Sequence, residues 1–337
     1  MTASALPMQR QDADGPRRIQ TRPHPTDRVF RGVSRGIGAL VLVLTGAIGL
    51  FLAVQLFPVV HHYGFKFFTT QQWNVETNKV GVAAAIFGSV EVALVALLMA
   101  FPLALGTALF ITEYAPRRLK PLFVSMVDLM AAVPSIVYGL WGFYILQGLG
   151  LPVARWFAEW FSFIPLLKVD ADPHSAPFLK PQFTESPFLA GLVVAMMVIP
   201  LACAVMRGVF DQAPAGEREA ALALGSTRWG VIQSVVLPFG RGGIIGGTML
   251  GLGRALGETV AVLIMLSQID KINPHVLQNG GVTVSSLIAD HFGDANRGVQ
   301  LEALLAAGFV LFVMTLLVNT IAGIIVTRSR SGATTEI

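Results

Sequence analysis

Six long apolar runs separated by shorter polar segments organise this sequence, at about 36–60, 81–112, 122–148, 188–210, 242–267 and 301–327. A bilayer core about 30 Å thick needs roughly 20 apolar residues in a helix that rises 1.5 Å per residue. Every run meets that length, so the pattern predicts six transmembrane helices and an all-α polytopic membrane fold. The second run is longer than it need be and contains Pro102, which predicts tilt or a bend. Pro134 and Pro200 interrupt the third and fourth runs. Each reads as a tolerated kink or as a hinge in a broken helix lining a cavity.

The segments between the runs add three expectations. Residues 1–35 are polar and Arg-rich and read as a disordered tail, with 36–60 a retained anchor rather than a cleaved leader. In 150–187, Val153, Trp156, Phe157, Trp160, Phe161 and Ile164 recur at helical spacing. That predicts an amphipathic helix lying in the outer interface. The 268–300 segment, with "NPH", "NGG" and "FGD", reads as turns.

Composition agrees with the pattern. Of 337 residues 54% are hydrophobic and 13% charged, against about 25% charged in soluble domains. The basic residues set the orientation: sixteen of the 24 fall in the N-terminal tail, the 2–3 loop, the 4–5 segment from Arg207 to Arg241 and the C-terminal tail 328–337. Both termini and 211–240 are therefore expected in the cytoplasm. The single Cys203 excludes a disulfide framework, and the six histidines lie outside the apolar runs, against an intramembrane metal site or proton relay. No GxxxxGK[ST] loop occurs, so no ATP site is expected in this chain.

Four ionisable groups fall in or near apolar runs: Glu91, Asp128, Arg254 and Glu258. Asp128 is near an end and reads as solvated or structural. Glu91 is deeper and reads as part of a transport route or as a group paired within the bundle. Arg254 is twelve residues past Gly242, about 18 Å along a helix axis and near the midplane. A charge there costs at least a few kcal/mol unless it faces protein or water. Gly243, Gly247 and Gly251 form a small-xxx-small row that leads to Arg254 and Glu258. Arg254 and Glu258 are four apart, so they are expected to share one helix face, directed at the bundle interior. A buried guanidinium suits an oxyanion because its planar fork donates parallel hydrogen bonds; the other reading is a structural ion pair.

Between runs four and five lies "EREAALALGSTRWGVIQSVVLP", 217–238. Pro214 can start a short helix and Gly225 can end it. Ser226 or Thr227 can cap the next helix, and Pro238 can end or bend it. The stretch resembles the cytoplasmic signature of bacterial binding-protein-dependent ABC importer permeases. Its fixed points here are Glu219, Ala220, Ala221, Gly225, Val235 (where Ile is usual), Leu237 and Pro238. "VPSIVYGLWG" (133–142) and "GRALGET" (253–259) are similar to segments of the phosphate-specific branch, and "FFTTQQW" (67–73) resembles the outer segment of its C-type (PstC) subunits. "WNVETNKV" lacks that branch's following Pro, and its Gly-Thr pair is Gly88-Ser89 here.

The resemblance implies a type I importer permease (MetI-like) fold over 81–327, with 211–240 as the coupling loop and 36–60 as an accessory helix. It implies a permease subunit forming half of a phosphate pathway, with Arg254, Glu258, Ser135, Tyr138 and Glu91 along it. Glu219, Ala220, Ala221, Leu224, Gly225, Val235, Leu237 and Pro238 would couple to the ATPase. Implied partners are a second, PstA-like permease, a PstB-like ATPase dimer that binds ATP and Mg, an extracytoplasmic PstS-like phosphate-binding protein and membrane lipid, with no nucleic acid. The chain itself would carry no cofactor and sit in the bacterial inner membrane. The alternatives are a permease for another oxyanion such as sulfate or molybdate, or an ATPase-independent channel or secondary transporter.

Overall fold

The computed structural model describes residues 25–74, 77–169, 183–293, 295 and 298–329. Most of the expected N-terminal tail and of the C-terminal tail lies outside the described residues. Six helices among those described are long and apolar enough to cross a membrane: Thr26–Tyr63, Ala83–Tyr114, Ser135–Trp160, Pro187–Phe210, Arg228–Leu256 and Val299–Val326.

The chain divides into two units, 1–50 and 51–337. In the first, the described residues form the leading part of α1 (Pro25–Tyr63). The helix starts well before residue 36, because Val29, Phe30, Val33 and Ile37 already give a helical apolar stripe opposite Arg28, Arg31 and Arg35. Those four apolar side chains are exposed.

The second unit is built around α7 (Pro187–Phe210), which packs against α3 (Ala83–Leu109, continued by a π-turn at Phe110–Tyr114) and α10 (Leu237–Leu256). In lipid, helices gain little from leaving the solvent and associate by close packing instead. The sequence supplies small residues where that packing occurs. The α10 row Gly240, Gly243, Gly247 and Gly251 meets Phe210, Val209, Ala202 with Met206, and Val198 of α7 in antiparallel order. Pro102 and Pro200 stay inside continuous helices.

Pro134 does not. The expected span 122–148 is divided into α4 (Lys120–Ala132) and α5 (Ser135–Trp141), with Val133 and Pro134 extended between them. The residue before a proline is pushed out of the helical region by the ring. α5 runs through a π-turn at Gly142–Leu146 into α6 (Gln147–Trp160). The segment expected to lie in the interface is thus largely the end of a span, with Ala154 and Ala158 buried and Trp156 and Trp160 exposed.

The fifth span also differs from the expected 242–267. α8 (Ala215–Ala223) is followed by α9 (Arg228–Val231), a π-turn at Ile232–Val236, and α10. Pro238 does not end this helix. The wide turn before it lets Leu237 donate to the Ile232 carbonyl, which absorbs the irregularity that proline forces on a helix. The helix ends instead at Leu256 and resumes as α11 (Val260–Met265).

The 268–300 segment holds more than turns. It contains α12 (Val284–Phe292), started by a reciprocal cap between Thr283 and Ser286. Its buried Val284 and Leu287 join Phe67 of α2 (Lys66–Thr69), Trp73 of β1 (Trp73–Asn74) and Val80 of β2 (Lys79–Val80) in one apolar cluster. The two strands pair antiparallel, Trp73 opposite Val80. α13 (Val299–Ser329) closes the bundle against α10 and α12.

Candidate functional site

The two breaks face each other through their second halves. α5 packs on α11 at Gly139, where an added Cβ would stand 2.9 Å from the Ala261 Cα. Tyr138 donates from its hydroxyl to the Met130 carbonyl at 2.9 Å, bridging α4 and α5 across the proline. Gly257–Thr259 form the other break. Here Ser285 of α12 donates to the Glu258 carbonyl at 2.6 Å, and the Ala261 amide reaches the Glu258 carboxylate Oε1 at 3.4 Å. Ser89 of α3 accepts from the Val284 amide at 2.9 Å, so α3 fixes the start of α12 and α12 fixes the break.

This arrangement corrects the expectation that Arg254 and Glu258 share a helix face. Arg254 is in the last turn of α10 and is exposed; Glu258 is beyond the helix end and buried. Among the described residues no ion pair joins them. Both line a cavity of about 400 Å³ together with Leu201, Leu250, Gly253, Gly257 and Asn319. The two side chains therefore meet at a space rather than at each other. The guanidinium offers charge-assisted donors to an anion, and the carboxylate can only accept. Asn319 is not marked by any of the sequence patterns above; its signal is a lone amide in the apolar run "TLLVNTIAG". An amide supplies both a donor and an acceptor.

Of the other expected pathway residues, none lines this cavity. Ser135 and Tyr138 belong to the α4–α5 break. Glu91 is buried in α3, and its Oε1 has no hydrogen-bond partner. Asp128 lies 3.7 Å from Arg207, an ion pair between α4 and α7, in keeping with a structural role.

The 217–238 segment is folded as its residues dictate. Pro214 precedes α8, and Gly225, at φ +87°, ends it. The Ser226 amide donates to the Ala221 carbonyl at 3.1 Å and the Gly225 amide to Leu222 at 2.9 Å, the two bonds of a Schellman cap. Thr227, rather than Ser226, caps α9 by accepting from the Gly230 amide at 3.1 Å. Glu219, Ala220, Leu224 and Gly225 are exposed, Leu224 to 89%, while Val235 is buried. Leu237 is half-buried and Pro238 exposed. Exposed Leu222 and Leu224 beside small residues form a shallow apolar step at the C-terminal end of α8, whose charged residues Glu217, Arg218 and Glu219 lie in its first half.

Residues 100–331 match the family described as binding-protein-dependent transport system inner membrane component. The chain belongs to this family. As such an inner membrane component it is a multi-pass protein of the bacterial inner membrane, a transport subunit that works with an ATPase and a substrate-binding protein. Among its relatives, "Phosphate transport system permease protein PstC" of Mesorhizobium japonicum is 35% identical over 321 residues, 91% of this chain and 93% of the relative. "Phosphate transport system permease protein PstC 2" of Mycobacterium tuberculosis is 38% identical over 299 residues, 88% of this chain and 90% of the relative. Two solved structures share the fold at low identity. One is a chain of the inward-facing MetNI methionine ABC transporter, with a TM-score of 0.51, 13% identity, and coverage of 74% of this chain and 95% of that one. The other is a chain of a bacterial alginate ABC transporter in complex with a periplasmic protein, with a TM-score of 0.52, 18% identity, and coverage of 92% and 100%.

Proposed function

We propose that this inner membrane component is the PstC-type permease of a phosphate importer, and that phosphate passes the cavity at the end of α10. The observation that carries the reading is the placement of Arg254 and Glu258 on one cavity within the membrane helices, in a chain whose relatives of 35–38% identity carry the PstC name. A cation at that depth is costly unless it faces water or a counter-charge. A phosphate ion in transit meets that condition, with Arg254 and Asn319 donating and Glu258 accepting from a protonated phosphate oxygen. Ser135, Tyr138 and Glu91 do not line this cavity; on this reading Tyr138 acts through α5, which packs on α11 just beyond the break that holds Glu258. No cofactor is assigned to the chain; ATP and Mg belong to the ATPase. α8 with its cap, where Glu219, Ala220, Leu224 and Gly225 are exposed and Ala221 half-buried, is the surface such an ATPase would seat in a groove, with Val235, Leu237 and Pro238 carrying the movement into α10. The other half of the pathway would be a PstA-like subunit, the ATPase PstB-like and the delivering protein PstS-like, with both termini of this chain in the cytoplasm.

Uptake of labelled phosphate by cells or proteoliposomes carrying Arg254→Gln, with membrane insertion checked, tests this reading. The variant should lose uptake. Full uptake with normal insertion removes Arg254 from the pathway. Competition by sulfate and molybdate separates phosphate from other oxyanions: a transporter of either one would lose phosphate uptake to it.

A further inference from the structure

We propose that Arg218 is the positioning residue through which α8 moves the membrane helices, because it holds the end of α3 and the end of α7 at the same time. The proposal rests on the coupling reading of α8. The Arg218 Nη2 donates to the carbonyl of Phe210, the last residue of α7, at 2.6 Å. The same nitrogen lies 3.1 Å from Oε1 of Glu113, in the π-turn that ends α3. That second approach is a charge contact rather than an aligned hydrogen bond. Both side chains are largely covered, 24% exposed for Arg218 and 12% for Glu113. Screening by water is weak there, so the contact is stiffer than a surface ion pair.

The placement divides the work of α8. Glu219, Ala220 and Leu224 face outward, free to meet a partner, while Arg218 points back to the bundle. The last carbonyls of α7 have no partner within that helix, and a cation at a helix C-terminus is favoured by its dipole. Arg218 supplies the cation there and a second, charge-assisted donor to the Phe210 carbonyl, which also accepts from the Ala213 amide at 3.1 Å. Two neighbouring ion pairs, Lys120 with Asp211 at 2.7 Å and Arg207 with Asp128 at 3.7 Å, tie α4 to α7 and its following loop. They make the ends of α4 and α7 one body but do not include α8. Among the described residues Arg218 is the charged side chain of α8 that forms an ion pair with a membrane helix. A push on α8 therefore reaches α7, through which the whole unit is packed, and α3.

The test is the number of phosphate ions taken up per ATP hydrolysed, measured on the full transporter in proteoliposomes with its ATPase and binding protein. Arg218→Gln should retain the ATPase and hydrolyse ATP while uptake per ATP falls roughly tenfold. Arg218→Lys, which keeps the charge, should recover most of that loss. Glu113→Gln should fall by about threefold, because the Phe210 contact remains. The KM for phosphate should not move in any of them. An unchanged ratio in Arg218→Gln overturns the proposal. If that variant does not assemble, an unchanged ratio in Glu113→Gln overturns it instead, since the tie from Arg218 to the end of α3 then carries nothing to coupling. Failure of the underlying reading looks different: a bulky residue at Gly225 would leave ATPase association and uptake as in the wild type.

Discussion

Ser285 and Glu258 are joined by a hydrogen bond of 2.6 Å from the serine hydroxyl to the Glu258 backbone carbonyl. The bond is buried, and it holds the one part of the fifth span that is not helical. A carbonyl freed by a helix break in a membrane must be satisfied by a neighbour. Ser285→Ala leaves that carbonyl without its donor. The expected cost is about 1–3 kcal/mol of stability, read as a lower melting temperature in detergent, with reduced phosphate uptake because Glu258 is no longer fixed. A variant with unchanged melting and uptake would show that the break holds itself.

Gly88 faces the same segment from α3. An added Cβ would overlap the Val282 carbonyl oxygen, which is backbone and cannot rotate away. Gly88→Ala should therefore destabilise by roughly 1–3 kcal/mol, as overpacking does. Ser89→Ala removes the acceptor for the Val284 amide next door and should cost about as much as Ser285→Ala. Thermal melts of the two single variants and of the double check this. Melting unchanged in Gly88→Ala would mean that α12 shifts freely, against its role as the anchor of the break.

These contacts show where the sequence was readable and where it was not. The apolar runs gave the number of spans, and the glycine row on α10 gave its packing face, because both are repeated patterns in one helix. The cap at Gly225 was also legible, since glycine after a short Ala-rich helix has few other uses. The breaks were harder. Pro134 broke its helix while Pro102 and Pro200 did not; the difference lies in the contact of Tyr138 with Met130 and of Gly139 with Ala261, which are tertiary. The break at Gly257 has no proline at all. It depends on Ser285, 27 residues away, so counting along a continuous helix put Arg254 and Glu258 on one face. Asn319 reaches their cavity only through the packing of α13 on α10.

Gly225 is strained for any residue with a side chain, yet nothing lies within 4 Å of where a Cβ would be. Replacement therefore acts through the backbone and through whatever docks there, and the two effects separate by residue type. Gly225→Ala should cost about 1 kcal/mol. Gly225→Asn should cost less, because asparagine tolerates the left-handed region. Gly225→Trp adds bulk to an exposed surface and should weaken ATPase retention beyond what Gly225→Ala does. Melting temperatures and co-purification of the ATPase measure the two effects separately. Equal ATPase retention in the Ala and Trp variants would mean that no partner closes on this end of α8.

Asp270 lies outside the spans, beside β1 and α12. Burial raises its pKa, the dominant influence; His291 and a hydrogen bond from the Trp73 backbone lower it, and Asp290 raises it. The folded protein therefore holds this proton more tightly than the unfolded chain, whose carboxyl titrates near 3.9. The sign follows from proton linkage. Stability from this group is greatest below about pH 4 and is lost as pH rises through the raised value in the folded state. Asp270→Asn cannot ionise and retains a side-chain oxygen to accept from Trp73. Its melting temperature relative to the wild type should rise between about pH 4 and pH 7, the interval that begins at the unfolded value. A difference that is flat across that interval, or that falls, would mean that His291 and the Trp73 amide together offset the burial.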